Sequence, residues 1–267
     1  MKLLHLIPFI IAILLIGCQS QAGIGIAPTP TTSVDPITVA AAADLQFAFT
    51  DIAKQYEQQT GRKVNLVFGS TGQMVQQIEN GAPYDLIAAA NTAYIDRLVE
   101  QKLAIPESAA LYARGRIVLA VNRQAGVQAV ELDDLLDEDI QHIAIANPEH
   151  APYGMAAQQA LQTLNLWDRL QPKLVYAENV RQALQFIQTG DAQVGIVALS
   201  VANVPEITWT LIAEELHSPL DQALVILAAS QYPDEANDFI AFINGEVGRP
   251  IMRQYGFLLP DEIINQP

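Results

Sequence analysis

The sequence predicts an α/β fold in which parallel-rich sheets are covered by helices. Short apolar or β-branched runs, such as "ITVA" and "KVNLVF", alternate along the chain with segments of helical periodicity. Parallel strands need crossover connections, and helical crossovers cover the two faces of the sheet. The composition agrees, because 51% of the 267 residues are hydrophobic and only 16% are charged, as in ordinary globular proteins.

The first 18 residues have the pattern of a lipoprotein signal peptide. Met1 and Lys2 precede the apolar run "LLHLIPFIIAILLIG", which is short for a stable membrane span. The ending "LIGC" resembles the bacterial lipobox, which implies removal of the signal and a lipid on Cys18. The alternative is an ordinary signal peptide with an incidental cysteine. Because Cys18 is the one cysteine of the chain, an internal disulfide is excluded.

Residues 19–36 are rich in Gly, Pro, Thr and Ser and contain no aromatic residue. This composition is typical of a flexible linker, so we expect the folded body to begin near Ile37. An anchor at Cys18 would then tether the body to a bacterial membrane, at the cell surface or in a periplasm. The formal net charge of −15 makes nucleic acid an improbable partner, since no basic face is available to neutralise phosphates.

The predicted elements follow one another along the body. Strands are predicted at "ITVA", "KVNLVF", "YDLIAAAN", "GRIVLAVN", "HIAIANP", "KLVYA", "VGIVALS" and "QALVILAAS". Helices are predicted at "LQFAFTDIAKQYEQQTG", "QMVQQIENG", "TAYIDRLVEQKL", "LDDLLDEDI", "MAAQQALQTLNLWDRL", "NVRQALQFIQTG" and "EANDFIAFINGEVGRPIMRQYGF". In the first helix, Leu45, Phe49, Ile52 and Tyr56 share one face, and Gly61 marks the end.

Four strand-to-helix corners form the candidate site, because ligands of such sheets bind beyond the carboxyl ends of the strands. The corners are Ala42-Ala43-Asp44, Gly69-Ser70-Thr71-Gly72, the segment "NPEHAPYGM" with Tyr153, and "AENV" with Val180. A helix start leaves N–H groups unpaired and carries about half a positive charge. Converging corners would hold an oxyanion with neutral donors, despite the negative net charge, which salt screens beyond about 8 Å. The alternative is that Ser70 and Thr71 simply cap a helix.

Several segments resemble the periplasmic molybdate-binding proteins of ABC transporters. They are "ITVAAAADLQFAFTDIAKQYEQQTGRKVNLVFGSTGQMVQQIENGAPYDLIAAAN", "ANPEHAPYGMAAQQALQTLNLWDRL", "AENVRQALQFIQTGDAQVGIVALS" and "RQYGF", within about residues 37–260. The resemblance implies a two-lobed type II periplasmic-binding-protein fold with its ligand in the interlobe cleft. Lobe 1 would hold residues 37–119 and 222–267, and lobe 2 residues 120–221.

The same resemblance implies a function and a set of site residues. The protein would capture molybdate or tungstate without a cofactor and deliver it to an ABC transporter permease, and we expect a monomer. By position, the ligand-binding residues fall on Asp44, Ser70, Thr71, Tyr153 and the backbone of Val180. A tyrosine found near the cleft in some members falls on Ala198, and the phenol of Tyr153 is a candidate replacement for that donor.

Asp44 departs from the family pattern, since some members have serine there. An ionised carboxylate would repel a dianion and has no hydrogen to donate. Three arrangements are open: Asp44 caps its helix while its backbone N–H binds the anion, it is protonated beside the anion, or it pairs with a base such as Arg181. We favour the first arrangement.

Other functions remain open at this stage. The chain could bind another oxyanion such as sulfate, act as an anion sensor, or be an acid–base hydrolase that uses Asp44 and Asp85. His142 and His150 lack the spacing of metal ligands, and the acidic residues between 133 and 139 have the pattern of a solvated helix face. We therefore expect no catalytic residue, and no metal beyond that of the oxyanion itself.

Overall fold

The computed structural model describes residues 35–264, with side chains up to residue 262. The predicted signal peptide, Cys18 and nearly all of the predicted linker lie outside the described residues. Within that part, the strands are β1 (Ile37–Ala42), β2 (Val64–Gly69), β3 (Leu86–Ala89), β4 (Ala110–Gly115), β5 (Ile117–Asn122), β6 (Ile143–Ala146), β7 (Leu174–Ala177), β8 (Val194–Ala198), β9 (Ile207–Leu211) and β10 (Leu220–Ile226).

Helices connect these strands, but the long helix predicted at 155–170 is interrupted near Asn165, which has a left-handed φ of 57°, and the helix predicted at 132–140 is a 3-10 helix that ends at Leu136. The α-helices are α1 (Gln46–Thr60), α2 (Thr71–Glu79), α3 (Thr92–Glu100), α4 (Pro152–Thr163), α5 (Trp167–Leu170), α6 (Val180–Thr189), α7 (Leu199–Ala202), α8 (Pro233–Ile243), α9 (Gly248–Gln254) and α10 (Pro260–Ile264). Short 3-10 helices lie at Ala43–Leu45, Pro106–Ser108, Leu132–Leu136, Gln171–Lys173 and Glu214–Leu216. Helix α1 buries Phe49, Ile52 and Tyr56, and Gly61 ends it with a left-handed φ of 72° that glycine adopts readily.

The strands form two five-stranded sheets, in the orders β2-β1-β3-β10-β4 and β7-β6-β8-β5-β9. We call the part of the chain built on the first sheet lobe 1, and the part built on the second sheet lobe 2. In each sheet, three neighbouring strands are parallel, namely β2, β1 and β3 in lobe 1 and β7, β6 and β8 in lobe 2. The two strands that complete each sheet pair in antiparallel fashion.

Register places the carboxyl ends of the parallel strands side by side. Ala42 of β1 pairs with Gly69 of β2, and Ala146 of β6 pairs with Ala177 of β7. Each of these four residues is the last of its strand, so the four predicted corners lie at the carboxyl edges of the two sheets. No helix among the described residues has the length and apolar character needed to cross a membrane.

The chain passes between the lobes twice. It leaves β4 for β5 through Arg116, whose Nε and Nη2 donate to the carbonyl of Gly256 at 3.1 and 2.8 Å, and it returns between β9 and β10. The predicted boundaries after residues 119 and 221 would cut β5 and β10, each of which lies wholly in one sheet. The apolar run "GRIVLAVN" gives no sign of where one sheet ends, so the exact lobe limits stay a prediction.

Two strands were not predicted from the sequence, β4 and β9. Both lie at the outer edge of their sheet. An edge strand has one free side, and β9 accordingly leaves four of its five residues exposed. The periodicity of a buried strand is therefore missing from "ITWTL".

Candidate anion-binding site

The four corners line one cavity between the lobes, with an empty volume of about 200 Å³. It is lined by Ala42, Ala43, Asp44, Gly69, Ser70, Thr71, Ala90, Ala151, Pro152, Tyr153, Asn179 and Val180. The five residues predicted to bind the ligand are all in this set. Lysine and arginine are absent from it, so any anion held there must be bound by neutral groups.

Three helices begin at the wall of this cavity. Helix α2 begins at Thr71, α4 at Pro152 and α6 at Val180. The first N–H groups of a helix have no partner within the helix, and the helix dipole adds partial positive charge at the same point. Three such ends around one small cavity favour a negative charge there, although the whole chain is acidic.

The caps of α6 and α2 differ. The side-chain oxygen of Asn179 accepts from the N–H groups of Arg181 and Gln182, at 3.1 and 3.0 Å, and leaves the N–H of Val180 outside this cap. Ser70 precedes α2 but makes no side-chain cap bond. The simplest alternative for Ser70, a helix cap, is therefore wrong.

The hydroxyls of Ser70 and Thr71 have different partners. Ser70 Oγ donates to the carbonyl of His150 at 2.6 Å and lies 2.9 Å from His150 Nδ1. Thr71 Oγ1 accepts from the N–H of Ala90 at 3.1 Å. Because Thr71 accepts in that bond, its hydroxyl hydrogen is left to donate elsewhere. Thr71 is the better hydroxyl donor for a ligand.

Asp44 is fully buried, and its carboxylate takes part in a polar network. Asp44 Oδ2 accepts from Tyr153 Oη at 2.9 Å and from Gln222 Nε2 at 2.8 Å. Burial raises the pKa of Asp44 from its ordinary value to about 6, although the hydrogen bonds from Gln222 and Tyr153 and the interaction with its own backbone N–H favour the ionised form. This residue is thus easier to protonate than an exposed aspartate.

The arrangement that we favoured for Asp44 is wrong for its side chain. The 3-10 helix Ala43–Leu45 has no side-chain cap bond, because the carboxylate accepts from Tyr153 and Gln222 instead. Pairing with Arg181 is also wrong: Arg181 Nη1 donates to Gln188 Oε1 at 2.9 Å, and the guanidinium lies 5.4 Å from the ring centre of Phe47. That the backbone N–H of Asp44 binds the anion stays a prediction.

The phenol of Tyr153 points into the same network. Its hydrogen goes to Asp44 Oδ2, so the phenol is not a free donor for the ligand, contrary to the sequence-based suggestion that it replaces the tyrosine absent at position 198. Burial first, and then the nearby Asp44 charge, raise the pKa of Tyr153 well above its ordinary value. Tyr153 therefore keeps its proton, and its backbone N–H in the first turn of α4 is the group available to an anion.

Sequence reasoning missed three residues of this network. Gln222 is fully buried, bonds Asp44, and donates to Tyr153 Oη at 3.0 Å. Tyr112 Oη donates to Gln222 Oε1 at 2.8 Å, and Ser200 Oγ donates to the carbonyl of Asp44 at 2.8 Å. The one available signal was the polar Gln222 at the start of the apolar run "QALVILAAS".

His150 joins the lobes across the cavity. Its carbonyl, on the loop after β6 of lobe 2, accepts from Ser70 Oγ and from the N–H of Gly72 at 3.0 Å, both in lobe 1. Nearby, Gln73 donates to Glu178, again from lobe 1 to lobe 2. With the bond from Tyr153 to Asp44, these contacts hold the two lobes together around the site.

The hydrolase alternative requires Asp85 beside Asp44, and the structure places Asp85 elsewhere. Asp85 accepts from the N–H of Thr38 at 2.8 Å and from Ser230 Oγ at 2.7 Å, and it does not line the cavity. Thr38 lies near the start of β1, at the opposite end of the strand from the site. Asp44 and Asp85 therefore do not form an acid–base pair.

Metal ligands do not cluster in the part of the chain that the structure describes. No group of three or more His, Cys, Asp or Glu side chains there could hold a metal ion. In the acidic run, Asp134 accepts from the N–H groups of Val130 and Glu131, and these two bonds lower the pKa of Asp134. At least this member of the run has a structural role.

We expect the Asp44→Asn variant to be more stable than the parent at neutral pH but not at pH 4. Since the folded-state pKa of Asp44 is raised to about 6, its contribution to stability is present at low pH and declines as the pH rises from about 4 to about 6. The difference at pH 7 should reach at most about 3 kcal/mol. Urea unfolding of both proteins at pH 4 and pH 7 measures it; an equal difference at both pH values would contradict the expectation.

Comparison with known proteins identifies the family. The family described as "Bacterial extracellular solute-binding protein" matches residues 37–258. A protein from Azotobacter vinelandii named "Molybdate-binding protein ModA" is 34% identical over 252 residues, which cover 91% of this chain and 93% of the relative. One of the same name from Rhodobacter capsulatus is 32% identical over 224 residues, or 83% of this chain and 88% of the relative.

A solved structure agrees with these sequence matches. The periplasmic molybdate-binding protein of Azotobacter vinelandii superposes with a TM-score of 0.78 at 32% identity, covering 84% of this chain and 99% of that one. The two-lobed periplasmic-binding-protein fold expected from the sequence is thereby confirmed. The chain belongs to the family of bacterial extracellular solute-binding proteins.

Proposed function

We propose that this protein captures molybdate or tungstate outside the cytoplasm and delivers it to the permease of an ABC transporter. One observation carries the proposal: the N-termini of α2, α4 and α6 meet at a single interlobe cavity, and its described lining residues include no lysine or arginine. Relatives named for molybdate binding, with matching lobes, support the choice among oxyanions.

The ligand contacts would come from both lobes. Lobe 1 would contribute the hydroxyl and N–H of Thr71, with Ser70 beside it, and the backbone at Asp44. Lobe 2 would contribute the N–H groups of Tyr153 and Val180. Since donors from both lobes reach one anion, the ligand favours the closed state, which is the state that a permease would recognise.

Donor groups of this kind select by protonation as well as by charge. A fully deprotonated dianion offers only acceptor oxygens to the helix ends. A protonated oxyanion such as hydrogen phosphate brings a hydrogen that backbone N–H groups cannot accept. Unless an ionised Asp44 accepts it, this hydrogen stays unpaired, which costs about 1–3 kcal/mol. The radius of the cavity would then select molybdate and tungstate over sulfate.

The location and assembly are part of the proposal. The pattern ending at Cys18 supports a lipid anchor in a bacterial membrane, with residues 19–36 as the tether. We propose that the protein works as a monomer and has no enzymatic activity, because both lobes of one chain line the cavity and Asp44 is the one carboxylate among its described lining residues.

Titration calorimetry with the chain from residue 19 onwards tests the function. Molybdate and tungstate should each bind once per chain, and sulfate at least a hundredfold more weakly, which corresponds to about 2.7 kcal/mol. Phosphate is the matched control for a protonated tetrahedral anion. Equal affinity for sulfate would make the protein a general binder of tetrahedral dianions, and binding of none would reduce Thr71 and Val180 to ordinary helix starts.

A further inference from the structure

One oxygen of Asp44 has no partner. Asp44 Oδ1 is buried and makes no hydrogen bond with any residue that the structure describes, while Oδ2 has two donors. A buried carboxylate oxygen without a donor is costly. Because Asp44 lines the anion cavity, the bound ligand is the group that can complete this half of the carboxyl.

The network fixes where a proton on Asp44 must sit. Tyr112 donates to Gln222 Oε1, which turns the Gln222 amide so that Nε2 faces Asp44 and Tyr153. Tyr153 Oη accepts from that Nε2 and so gives its own single hydrogen to Asp44 Oδ2. With two hydrogens directed at it, Oδ2 can only accept. A proton on this carboxyl therefore belongs to Oδ1.

We propose that Asp44 is a specificity-determining residue that binds the oxyanion as a neutral acid, its Oδ1–H donating to an anion oxygen. The inference rests on the proposed function and adds that binding of the anion is coupled to the uptake of one proton. One proton passes from the solvent to Asp44 Oδ1 for each dianion bound, and no covalent bond of the anion is made or broken. Gln222 and Tyr153 are positioning residues, since they hold the acid in this orientation.

The other groups around Asp44 do not compete for that proton. Tyr153 on α4 and Tyr112 on β4 both have a pKa raised well above the ordinary value by burial, so they stay neutral. Ser200 on α7 and the polar residue of β2, Asn65, do not titrate.

Charged residues on the adjacent helices are directed elsewhere. On α1, Asp51, Lys54 and Glu57 lie beyond the first turn, and Asp51 accepts from Tyr255 Oη. On α6, Arg181 bonds Gln188. The ring of His150, on the loop before α4, faces Ser70 Oγ. Asp44 is thus the cavity-lining acid whose buried carboxyl oxygen lacks a partner among the described residues.

In the free protein, the carboxyl group of Asp44 can take up a proton when the anion binds near neutral pH. With a pKa of about 6, Asp44 is mostly ionised at pH 8 when the site holds no anion. A dianion at contact distance raises that pKa further, because like charges disfavour ionisation. Proton uptake on binding should therefore be small at pH 5 and close to one at pH 8.

Calorimetry in pairs of buffers that differ in ionisation enthalpy counts these protons. With molybdate at pH 8 we expect about one proton taken up per anion, and the Kd should rise about tenfold per pH unit above pH 7. The Asp44→Asn variant carries a permanent N–H donor, so it should take up no proton, hold a constant Kd between pH 6 and pH 8.5, and bind at pH 8 at least as tightly as the parent.

A control and the opposing outcomes make the test decisive. The Ser70→Ala variant lacks a hydroxyl of the same cavity wall and should still take up one proton per anion, even where it binds more weakly. Tight molybdate binding without proton uptake, or an Asp44→Asn variant that is folded by thermal unfolding and does not bind, would overturn the inference alone. Failure of the parent protein to bind molybdate or tungstate at any pH would instead overturn the proposed function.

A phosphate titration distinguishes a neutral Asp44 carboxyl that donates to the anion from an ionised one that accepts a hydrogen from it. If hydrogen phosphate binds tightly with no proton exchange, then Asp44 is an ionised acceptor for the hydrogen of the ligand, and the inference is wrong. Weak or absent phosphate binding, together with proton-coupled molybdate binding, supports the proposal that Asp44 binds the anion as a neutral acid.

Discussion

Replacing Val180 by proline should weaken anion binding by about ten- to hundredfold while the fold is retained. Val180 is the first residue of α6, where proline is well tolerated because no intrahelical bond uses its N–H. The preceding residue, Asn179, has φ of −156° and ψ of 171°, an extended conformation like those that proline imposes on its neighbour. The substitution therefore removes one N–H donor from the cavity, together with the buried valine side chain.

The size of the effect follows from the charge of the ligand. A hydrogen bond to a charged group contributes about 1.5–3 kcal/mol, and 1.4 kcal/mol is a tenfold change in Kd. Titration with molybdate gives the Kd, and thermal unfolding without ligand reports the fold. Val180→Ala is the matched control, because it removes the same buried side chain and keeps the N–H.

Two results would count against this role for Val180. If the proline and alanine variants lose the same affinity, the side chain matters and the backbone donor does not. If the proline variant keeps full affinity, then α6 takes no part in binding the anion.

Alanine at Gly72 should reduce affinity by about a hundredfold without lowering the stability of the free protein. The N–H of Gly72 in lobe 1 donates to the carbonyl of His150 in lobe 2 at 3.0 Å. A Cβ at this position would lie 3.0 Å from Tyr94 Oη at the end of a side chain in lobe 1. It would also lie 2.6 Å from the His150 carbonyl oxygen and 3.1 Å from His150 Cα. Both are backbone atoms, so the lobes would have to stay apart, and overpacking of this kind costs about 1–3 kcal/mol.

The Gly72→Ala substitution should lower the affinity for the anion without lowering the stability of the free protein. Gly72 lies in the first turn of α2, and alanine is the better helix former by about 1 kcal/mol. The free Gly72→Ala protein should therefore unfold at the same or a slightly higher temperature, whereas the stabilisation by saturating molybdate should shrink. Small-angle X-ray scattering with ligand would show whether the lobes close.

The exposed Gln76, also on α2, provides the control substitution Gln76→Ala. It changes the helix without touching lobe 2, and its affinity should match that of the parent. Normal affinity in Gly72→Ala would mean that the lobes do not need this contact to hold the anion.

The corners were predictable because they depend on local signals. A β-branched run, glycines and hydroxyl residues, and then helical periodicity mark the turn at Ser70 and Thr71 within a few residues of sequence. The rule that ligands bind beyond the carboxyl ends of parallel strands then brings such turns to one edge. The four corners follow from these two steps, whereas the five ligand-binding residues within them were assigned from the family resemblance.

The network around Asp44 was not predictable in the same way. Its hydrogen bond with Tyr153 spans 109 residues of sequence and its hydrogen bond with Gln222 spans 178. No local sequence pattern can therefore predict these bonds. Sequence reasoning could identify the conflict between a carboxylate and a dianion, but the resolution depends on which buried donors surround the carboxyl. The orientation of Gln222, set by Tyr112, is information that only the folded chain contains.

The contact between Gly72 and His150 also determines which positions of the protein are free to vary. It joins the N–H of one residue to the carbonyl of the other, and every amino acid carries that carbonyl. The contact itself therefore sets no requirement on the side chain at position 150, whereas a methyl group at position 72 would lie 2.6 Å from a backbone oxygen. The steric requirement of this interlobe contact thus falls on the glycine.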